Sequence, residues 1–485
     1  MIPEAFIERI KKQSYIDSEE LLRALGEKST ATIRLNRKKW EPEPLNSSPV
    51  PWCRDGFFLD SRPSYTLDPL FHAGCFYPQE ASGMFLEEIF RQLELSRENV
   101  KILDLCGAPG GKSTHLSSLT GANGLLVANE VIRSRAGILA ENLTRWGIPN
   151  VIVTQSDPSS FGRIPGYFDI IVADAPCSGE GMFRDGVAVN EWSEENAAMC
   201  SDRQKRILID VWPALKEDGI LFYSTCTFNP EENEENIAWL TGKKGAESVK
   251  LDVSGFQGIT EINHRGIFGY GFYPGRIRGE GFFISVIRKK EKPAETVYST
   301  KIDSNPGISR EEIRFATDLF ETAEDRLLKY YDEIIALPCD YYDYRKISGA
   351  LKIVKAGTRL CKVKTSGRAQ DFAPLRVPLH DLALSVNCGK DIYSVIDLSL
   401  DDARVYLSRG QFSPGTAQKG WNLVRYNGVN LGFINNIGSR INNYYPMEWR
   451  IRMDPRKHRN EKLIEWRRGA KAQWHKGIRE QGEKD

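Results

Sequence analysis

Two cysteines in this sequence stand where a thiol could act as a nucleophile. Cys177 lies in DAPCSG (174–179), and Cys226 lies in STCT (224–227). A thiolate can add to an electron-poor carbon and be expelled later, which splits one difficult step into two easier ones. A carboxylic acid such as Asp174 can hold a proton for the reacting ring if burial raises its pKa. The two motifs therefore predict covalent catalysis by cysteine.

A glycine-rich turn, DLCGAPGGKST at 104–114, precedes both cysteines. The P-loop pattern G-x-x-x-x-G-K-[ST] requires glycine at position 106, which is occupied by Cys106. The dinucleotide pattern G-x-G-x-x-G also fails, because Gly107, Gly110 and Gly111 have the wrong spacing. A P-loop ATPase is excluded on these grounds. What remains is a strand, a tight turn and a helix, with backbone amides that can approach a ligand.

Acidic residues end the three strands that are predicted after this turn. Glu130, about 20 residues beyond the glycines, is placed to bind a ribose diol. Asp157 ends the third strand, where it could meet an exocyclic amine, and Asp174 ends the fourth. A single acid of this kind is more often a helix cap. Polar groups at four successive strand ends indicate instead a site for S-adenosyl-L-methionine.

A methyl donor beside a thiol suggests one particular reaction. Carbon 5 of cytosine is a poor nucleophile, but it becomes enamine-like once a thiolate has added to carbon 6. Asp174 would hold a proton at ring nitrogen 3, and the carbon 5 proton must leave before the thiol is expelled. The target base would have to leave its stack for the thiol to reach it.

The same stretches resemble the Sun-type RNA cytosine-5 methyltransferases, over about residues 30–290. Five motifs carry the resemblance: ATIRLN (31–36), HAGCFYPQEASGM (72–84), DLCGAPGGKS (104–113), ADAPCSGEGMFR (173–184) and YSTCTFNPEENE (223–234). The last two together are very specific. The resemblance implies an RNA substrate and S-adenosyl-L-methionine as the cofactor.

The resemblance also implies a role for each site residue. Cys226 would be the nucleophile, Cys177 would assist product release, and Lys112 would lie at the junction of cofactor and substrate with its task left open. The cofactor would be held by Cys106, Gly107, Ala108, Pro109, Gly110, Gly111, Lys112, Glu130, Asp157 and Asp174. DNA cytosine-5 methyltransferases instead use the cysteine of a Pro-Cys dipeptide, which would make Cys177 the nucleophile. Their pattern lacks the Ser-Thr-Cys-Thr stretch, so the RNA family is favoured.

Strands and helices that would position these residues alternate through the middle of the chain. Runs rich in Val, Ile and Leu that alternate with helical patterns predict a doubly wound parallel sheet, the Rossmann-like core of an α/β methyltransferase. The predicted strands are KILDLC (101–106), LLVANE (125–130), VIVTQSD (151–157), FDIIVADAP (168–176) and GILFYSTCT (219–227). Such sheets bind ligands at the carboxyl ends of their strands, where the cysteines and acids stand.

Five segments are predicted along the chain. They are a small α+β N-terminal RNA-binding module (1–90, helical from Pro3 to Leu25), the catalytic domain (91–290), a connecting domain (300–385), a PUA-like β-rich module (386–455) and a basic tail (456–485). A charged linker spans 288–307, and Asn427-Gly428 predicts a hairpin turn.

The stretch 420–446 resembles the C-terminal PUA-like module of members that act on bacterial small-subunit ribosomal RNA. This RNA, free or in the assembled subunit, is therefore the expected partner, with transfer RNA as the alternative. A rival from another class is a non-catalytic RNA-binding protein, which would have no need of Asp174, Cys177 and Cys226 together.

Composition excludes several other classes. The chain has 485 residues, of which 41% are hydrophobic and 27% charged, as is typical of a multidomain globular protein. No apolar run approaches the length of about 18 residues that a membrane span requires, and the N-terminus lacks an apolar signal core, so a cytoplasmic protein is expected. Nine cysteines without a C-x-x-C pair predict neither a disulfide framework nor a metal site.

The net charge of the whole chain is only +1, but its C-terminal segment is basic. From Arg450 to Asp485 there are 12 Lys or Arg against 6 Asp or Glu, together with Trp466 and Trp474. This mixture suits an RNA-facing surface, and a solvated helix explains it equally well.

Overall fold

The structure, a computed structural model, describes residues 2–292, 307–364, 375–389, 392–411, 415, 417–454, 457–458 and 461–467. The central part of the linker (293–306) and the end of the tail, including Trp474, lie outside the described residues. Within those residues the strands form four sheets. No helix among them is both long and apolar enough to cross a membrane.

The N-terminal module is a four-stranded antiparallel sheet with short helices. Its elements are α1 (Glu4–Lys11), α2 (Ser18–Leu25), β1 (Thr32–Leu35), β2 (Ser47–Val50), β3 (Cys53–Leu59), α3 (Pro69–His72), β4 (Phe76–Pro78) and α4 (Leu86–Gln92), with strand order β2-β3-β1-β4. The prediction of one helical stretch from Pro3 to Leu25 was wrong. The Asp17 side chain accepts a hydrogen bond from the Glu20 amide and caps a second helix there.

The central sheet contains the predicted strands, and its parallel part has the order β9-β8-β5-β6-β7. The elements are β5 (Lys101–Asp104), α5 (Gly111–Leu119), β6 (Leu125–Asn129), α6 (Arg133–Trp146), β7 (Val151–Thr154), β8 (Phe168–Asp174), α7 (Val187–Glu191), α8 (Glu194–Val211), β9 (Leu215–Thr225) and α9 (Glu234–Lys244). The predicted Rossmann-like core is confirmed.

This sheet continues beyond its parallel part, which the sequence pattern did not predict. Next to β9 it is extended by antiparallel strands, β11 (Ile259–His264), β12 (Ile267–Phe272) and β13 (Phe282–Arg288), and β10 (Glu247–Ser248) pairs with β13. Neighbouring strand residues point to opposite faces, so Ile102 and Leu103 of β5 enter two different apolar layers. One layer includes residues of α4, α5 and α6, and the other includes residues of α8 and α9.

The region after the linker has its own antiparallel sheet, of order β14-β15-β17-β18. Its elements are α10 (Arg310–Leu319), β14 (Leu327–Tyr330), β15 (Glu333–Ala336), α11 (Tyr341–Ala350), β16 (Ile353–Ala356), β17 (Thr358–Lys364), β18 (Leu375–Pro378) and α12 (His380–Leu384). One strand of this region, β16, leaves that sheet and pairs antiparallel with β7 of the central sheet. The two sheets are thereby joined through consecutive strands.

The C-terminal module is a four-stranded sheet of order β19-β20-β21-β22 with one helix. Its elements are β19 (Ser394–Asp397), α13 (Leu400–Leu407), β20 (Gly420–Tyr426), β21 (Val429–Asn436) and β22 (Ile441–Asn443). The predicted hairpin is present between β20 and β21, and Asn427 and Gly428 both have positive φ, at 50° and 80°. A two-residue turn with both φ angles positive matches the twist of the strands.

The N-terminal and C-terminal modules share one apolar core. Leu35 and Phe57 of the first module pack in the same cluster as Tyr406 and Leu431 of the second. The chain end also returns to the N-terminal module, since the rings of Trp466 and Trp40 lie 5.4 Å apart. The remaining short elements are 3₁₀ turns at 65–67, 82–85, 158–163, 180–185, 212–214 and 324–326.

Candidate active site

The two cysteines of the predicted site lie side by side. Strands β8 and β9 are parallel neighbours with Asp174 opposite Ser224, so the segments that follow them leave the sheet at the same end. Cys177 lies three residues past β8 and Cys226 directly past β9, and their Sγ atoms are 3.1 Å apart. The Cys226 amide also donates a hydrogen bond to the Cys177 sulfur, at 3.3 Å. The sheet topology thus brings together two thiols that are 49 residues apart in sequence.

The surroundings of Cys177 keep its thiol protonated. The hydrogen bond with Cys226, together with burial, raises the pKa of Cys177 well above the ordinary thiol value. A thiol that retains its proton is a hydrogen-bond donor rather than a nucleophile. Within the pair, Cys177 is therefore suited to donate to the neighbouring sulfur.

A buried carboxyl, Glu232, fixes the segments that carry both cysteines. It accepts hydrogen bonds from the Ser178 amide (3.0 Å), from Gln204 Nε2 (2.8 Å) and from Asn229 Nδ2 (2.6 Å). Ser178 follows Cys177 directly, and Asn229 lies three residues after Cys226. Burial raises the pKa of Glu232 above its ordinary value. Neither Glu232 nor this network was identified from the sequence, although Glu232 lies within one of the motifs that carry the resemblance.

Asp174 forms an ion pair with Lys112. Lys112 Nζ lies 2.8 Å from Asp174 Oδ2, and the Ser224 hydroxyl donates to Oδ1 at 2.7 Å. Burial alone would lower the pKa of Lys112, but the Asp174 carboxylate outweighs it and raises that pKa above the ordinary value. The Asp174 side chain is one-third exposed (32%), whereas the sequence analysis required a buried acid. Asp174 is thus paired with a lysine and is not the isolated buried acid that was expected.

The glycine-rich turn connects β5 to α5, the helix that carries Lys112. A Cβ at Gly107 would lie 2.6 Å from Ser113 Oγ, and Gly110 has φ +121°, so both positions require glycine. Gly111 is the first residue of α5. Burial raises the pKa of the Cys106 thiol at the start of the turn, which makes it an inert packing residue.

Helix α6 holds the outer side of this turn. Arg135 donates to the carbonyl of Ala108 at 2.9 Å, and Asn142 donates to the carbonyl of Pro109 at 2.8 Å. Arg135 also lies 3.5 Å from the Glu130 carboxylate, so one side chain connects the turn to the end of β6. Arg135 was not identified from the sequence.

Asp104, at the end of β5, is a candidate site residue that the sequence pattern did not single out. Its side chain is fully buried, and Oδ2 accepts a hydrogen bond from the Ser113 hydroxyl at 2.5 Å. Its second oxygen, Oδ1, has no hydrogen-bond partner among the described residues. Burial raises the pKa of Asp104 to about 7. The available signal was the one used for the other acids, namely a carboxyl at a strand end.

Glu130 and Asp157 lie at the ends of neighbouring strands but in different surroundings. Glu130 is buried, and one of its oxygens accepts a hydrogen bond from the Ile132 amide at 3.0 Å. Asp157 is exposed and caps the 3₁₀ turn at 158–163 through a hydrogen bond from the Ser159 amide. Its hydrogen bonds with Ser159 lower the pKa of Asp157. The sequence also allowed a capping role for Asp157, and in the structure its Oδ1 atom has that role.

Asn129 aligns the three strand ends beneath these acids. Its Nδ2 donates to the carbonyls of Leu105 and Ser156, at 3.1 and 3.0 Å. Its Oδ1 accepts from the Thr154 hydroxyl and the Ser156 amide. A single buried amide thereby ties together the carboxyl ends of β5, β6 and β7, which is where the ligands of such sheets bind.

Models of related methyltransferase families match three successive parts of this chain. The family model described as "16S rRNA methyltransferase RsmB/F" matches residues 91–288. The models for the N-terminal domain of 16S rRNA methyltransferase RsmF and for the methyltransferase RsmF PUA domain match residues 2–81 and 393–451.

Relatives of similar length match almost the whole chain. "Ribosomal RNA small subunit methyltransferase F" of Aliivibrio fischeri is 30% identical over 482 residues, which cover 92% of this chain and 97% of the relative. The protein of the same name from Aeromonas hydrophila is 29% identical over 483 residues, with the same coverage. The crystal structure of a methyltransferase homologue from Pyrococcus horikoshii has a TM-score of 0.50 and 29% identity, covering 59% of this chain and 95% of that one. The chain with the paired thiols therefore belongs to the RsmF family of methyltransferases.

Proposed function

We propose that this protein transfers a methyl group from S-adenosyl-L-methionine to carbon 5 of a cytidine in small-subunit ribosomal RNA. The observation that carries the proposal is the pair of thiols 3.1 Å apart, next to a strand end that bears the Asp174–Lys112 pair. The names of the relatives and the match to a PUA domain support ribosomal RNA as the substrate.

The strand ends beside the glycine-rich turn fit the proposed cofactor. Asp104 presents a buried carboxyl oxygen with no partner among the described residues, so a hydrogen-bond donor is expected from a ligand. The turn at 106–112 would offer backbone amides, Glu130 would accept hydrogen bonds from the ribose hydroxyls, and Asp157 would meet the base. When bound, S-adenosyl-L-methionine supplies an electrophilic methyl group.

Cys226 is the proposed nucleophile because it lies directly past β9 in the Ser-Thr-Cys-Thr motif, whereas its neighbour Cys177 has a pKa raised by their hydrogen bond and by burial. The Cys226 thiolate adds to carbon 6 of the cytosine, and the S–C6 bond forms as ring nitrogen 3 takes up a proton. The Lys112–Asp174 pair holds that proton, since Asp174 contacts the ammonium directly. Carbon 5 then carries the electron density that accepts the methyl group.

Release requires the reverse movement of electrons. A base removes the carbon 5 proton, the C5–C6 double bond re-forms, and the S–C6 bond breaks to return the Cys226 thiolate. Nitrogen 3 gives its proton back to the Lys112–Asp174 pair, so the product leaves as neutral 5-methylcytosine. The Cys177 thiol is held at 3.1 Å and can donate a hydrogen bond to this leaving sulfur. A donor lowers the energy of the developing thiolate, so Cys177 assists release without attacking the base.

The test separates the two thiols with matched alanine variants. RNA and methyl donor are incubated with Cys177→Ala, Cys226→Ala and Cys388→Ala, and the products are run on a denaturing gel. We expect a slowly migrating protein–RNA band with Cys177→Ala and none with Cys226→Ala. Cys388 lies between α12 and β19, outside the candidate active site, so its variant should turn over like the wild type.

Two outcomes would contradict the mechanism. A band with Cys226→Ala alone would assign the attack to Cys177. Failure of the wild-type protein to form an adduct with 5-fluorocytidine RNA, under conditions in which it methylates normal RNA, would exclude covalent catalysis.

Bisulfite mapping of ribosomal and transfer RNA, from cells with and without the protein, distinguishes the two substrate classes.

A further inference from the structure

Outside the active site, three side chains that are common metal ligands meet between the N-terminal module and α5. Cys53 is the first residue of β3, Glu87 lies in α4 and His115 lies in α5. Their nearest donor atoms all lie within 4.8 Å of one another. Three elements that span 62 residues of sequence thus present a thiol, a carboxyl and an imidazole to one point.

The distances match those between ligands of one metal ion. Glu87 Oε2 lies 3.1 Å from Cys53 Sγ and 3.2 Å from His115 Nε2, and the sulfur and nitrogen are 4.0 Å apart. With metal–ligand bonds of about 2.0–2.3 Å in tetrahedral geometry, neighbouring donor atoms lie roughly 3.4–3.6 Å apart. The two separations from Glu87 are slightly shorter than this range, and the sulfur–nitrogen separation is slightly longer. Small side-chain shifts therefore suffice to ligate an ion.

Burial leaves one side of the cluster open. Cys53 and His115 are almost fully buried, whereas the Glu87 side chain is 23% exposed. Three protein ligands and one accessible position are the arrangement in which a water molecule completes the coordination. Solvent access on the Glu87 side also provides a path by which an ion can enter.

The donor set selects the kind of ion. Ca²⁺ and Mg²⁺ prefer oxygen ligands, whereas a thiolate with an imidazole and a carboxylate suits zinc. Binding would replace the Cys53 thiol proton, which leaves to solvent, and the thiolate and the Glu87 carboxylate would offset the two positive charges. No oxidant or reductant is required.

We propose that Cys53, Glu87 and His115 form a zinc site that fastens the N-terminal module to the helix of the glycine-rich turn. Cys-x-x-Cys spacing could not reveal this cluster, because its three residues come from three distant elements. His115 lies three residues after Lys112 in α5, so an ion held there would fix the helix that carries the proposed proton source. The site is independent of the methyl-transfer mechanism.

The alternative is a hydrogen-bonded cluster with no metal. In that case the Cys53 thiol and the His115 Nε2–H both donate to Glu87 Oε2, at the same distances. The two cases differ in a measurable way, because only metal binding deprotonates Cys53. A spectroscopic signature of a metal–thiolate bond is therefore decisive.

The experiment uses the full chain carrying Cys177→Ala and Cys226→Ala, which removes the other adjacent thiols. After treatment with a chelator, the protein is titrated with Co²⁺, and absorption from thiolate-to-cobalt charge transfer is recorded. We expect a band that saturates at one equivalent and is displaced by one equivalent of Zn²⁺. Adding Cys53→Ser should abolish the band, and adding Cys388→Ser should leave it unchanged.

Further variants keep the result decisive if Cys53→Ser does not fold. Glu87→Gln and His115→Gln each remove one ligand while retaining size, and each should weaken Zn²⁺ binding at least tenfold by calorimetry. Circular dichroism checks that the variants are folded. A chain that binds less than one equivalent of Zn²⁺, or a charge-transfer band that survives Cys53→Ser, would overturn the proposal in favour of the hydrogen-bonded cluster.

Discussion

At the scale of single residues, the active site depends on how each neighbour sets the protonation of the next. Cys177 retains its proton because a second sulfur and apolar surroundings disfavour its thiolate. Lys112 retains its charge because Asp174 lies beside it, although burial acts in the opposite direction. Asp104 accepts its hydrogen bond from the neutral Ser113 hydroxyl, and burial raises its pKa to about 7. The pKa values of these three groups are thus all raised, each for a separate physical reason.

Asp104 leads to a prediction about pH. Its pKa is about 7 in the folded protein, against about 3.9 in an unfolded chain. Between these values the folded protein binds a proton that the unfolded chain has lost, so stability falls as pH rises from about 4 to about 7 and then levels off. Since the difference between the two pKa values corresponds to about 4 kcal/mol, Asp104→Asn should remove a penalty of up to that size at pH 8. Melting temperatures of the protein without cofactor, measured at pH 5.5 and pH 8, test this.

The control for this measurement is Asp60→Asn, since Asp60 is exposed at the end of β3. In the Asp104→Asn variant the amide oxygen can still accept the Ser113 hydroxyl, so the comparison isolates the charge. If the difference in melting temperature between wild type and Asp104→Asn is the same at both pH values, Asp104 ionises normally and its burial does not control its pKa.

The sequence identified the types of residue at the candidate site, but not the contacts that surround them. Cys177, Cys226 and the acids were found because they follow apolar runs, and the order of strands brings such positions to one end of the sheet. The Lys112–Asp174 ion pair could not be found in this way, since the partners are 62 residues apart and the lysine comes from a helix. Asp104 was missed because a fully buried, half-satisfied carboxyl is a property of packing.

At the scale of secondary-structure elements, one buried carboxylate connects a helix to two strands. Asp381 of α12 is almost fully buried, and it pairs with Lys355 of β16 at 2.5 Å and with Arg359 of β17 at 2.9 Å. Burial would raise the pKa of Asp381, but the two cations outweigh it and hold that pKa far below the ordinary value. This carboxylate therefore ties α12 to β16, which pairs with the central sheet, and to β17, which belongs to the neighbouring antiparallel sheet.

We expect Asp381→Asn to destabilise the protein by about 3 kcal/mol, because it leaves a largely buried Lys355 without its anion. The contribution of a depressed carboxyl pKa is present above the ordinary value of about 3.9 and is lost as pH falls below it. Urea unfolding at pH 7 measures the loss. Glu27→Gln removes an exposed ion pair with Arg23 and should cost less than about 1 kcal/mol. Equal effects of the two substitutions would show that Asp381 has no special role.

The strands of the central sheet were predictable only where they are parallel. Each of β5 to β9 contains a short apolar run, and most of these runs are followed by a helix, a local pattern that can be seen in the sequence. The antiparallel strands β11 to β13 and β16 have no such pattern. Their position depends on pairing with a strand already in place, and β16 reaches β7 from about 200 residues later. The break between α1 and α2 depends on one capping side chain, Asp17.

At the scale of the whole molecule, the two terminal modules form one body. Their shared core, the hydrogen bond between His72 and Tyr445 (3.0 Å) and the hydrogen bond from Arg404 to the Leu67 carbonyl (3.1 Å) join elements more than 330 residues apart. The chain segment at 461–467 adds backbone hydrogen bonds to the N-terminal module, from Leu45 to Glu465 and from Arg467 to Glu43. The two modules proposed to bind RNA are therefore expected to act as a single surface.

This packing decides where the basic tail can be cut in a test of RNA binding. Removing residues 456–485 would also remove Trp466 from its contact with Trp40, and so would mix folding with binding. Removing 468–485 takes away five basic and three acidic residues beyond that contact. We expect the shorter deletion to weaken RNA binding and reduce its dependence on salt concentration, because fewer phosphates are neutralised. An unchanged salt slope, with cofactor binding intact, would show that this segment does not contact RNA.

Strand β16 has a consequence for the catalytic domain as an isolated fragment. It covers the outer backbone groups of β7, whose sequence VIVT is fully apolar except for its last residue, and it comes from a region beyond residue 350. A fragment that ends at residue 292 would leave these N–H and C=O groups as an open edge, to which another molecule can add a strand. We expect the 1–292 fragment to self-associate in light scattering at concentrations where the full chain does not. The sealing of one strand by a distant segment would then explain why the central sheet depends on residues beyond 350 in the same chain.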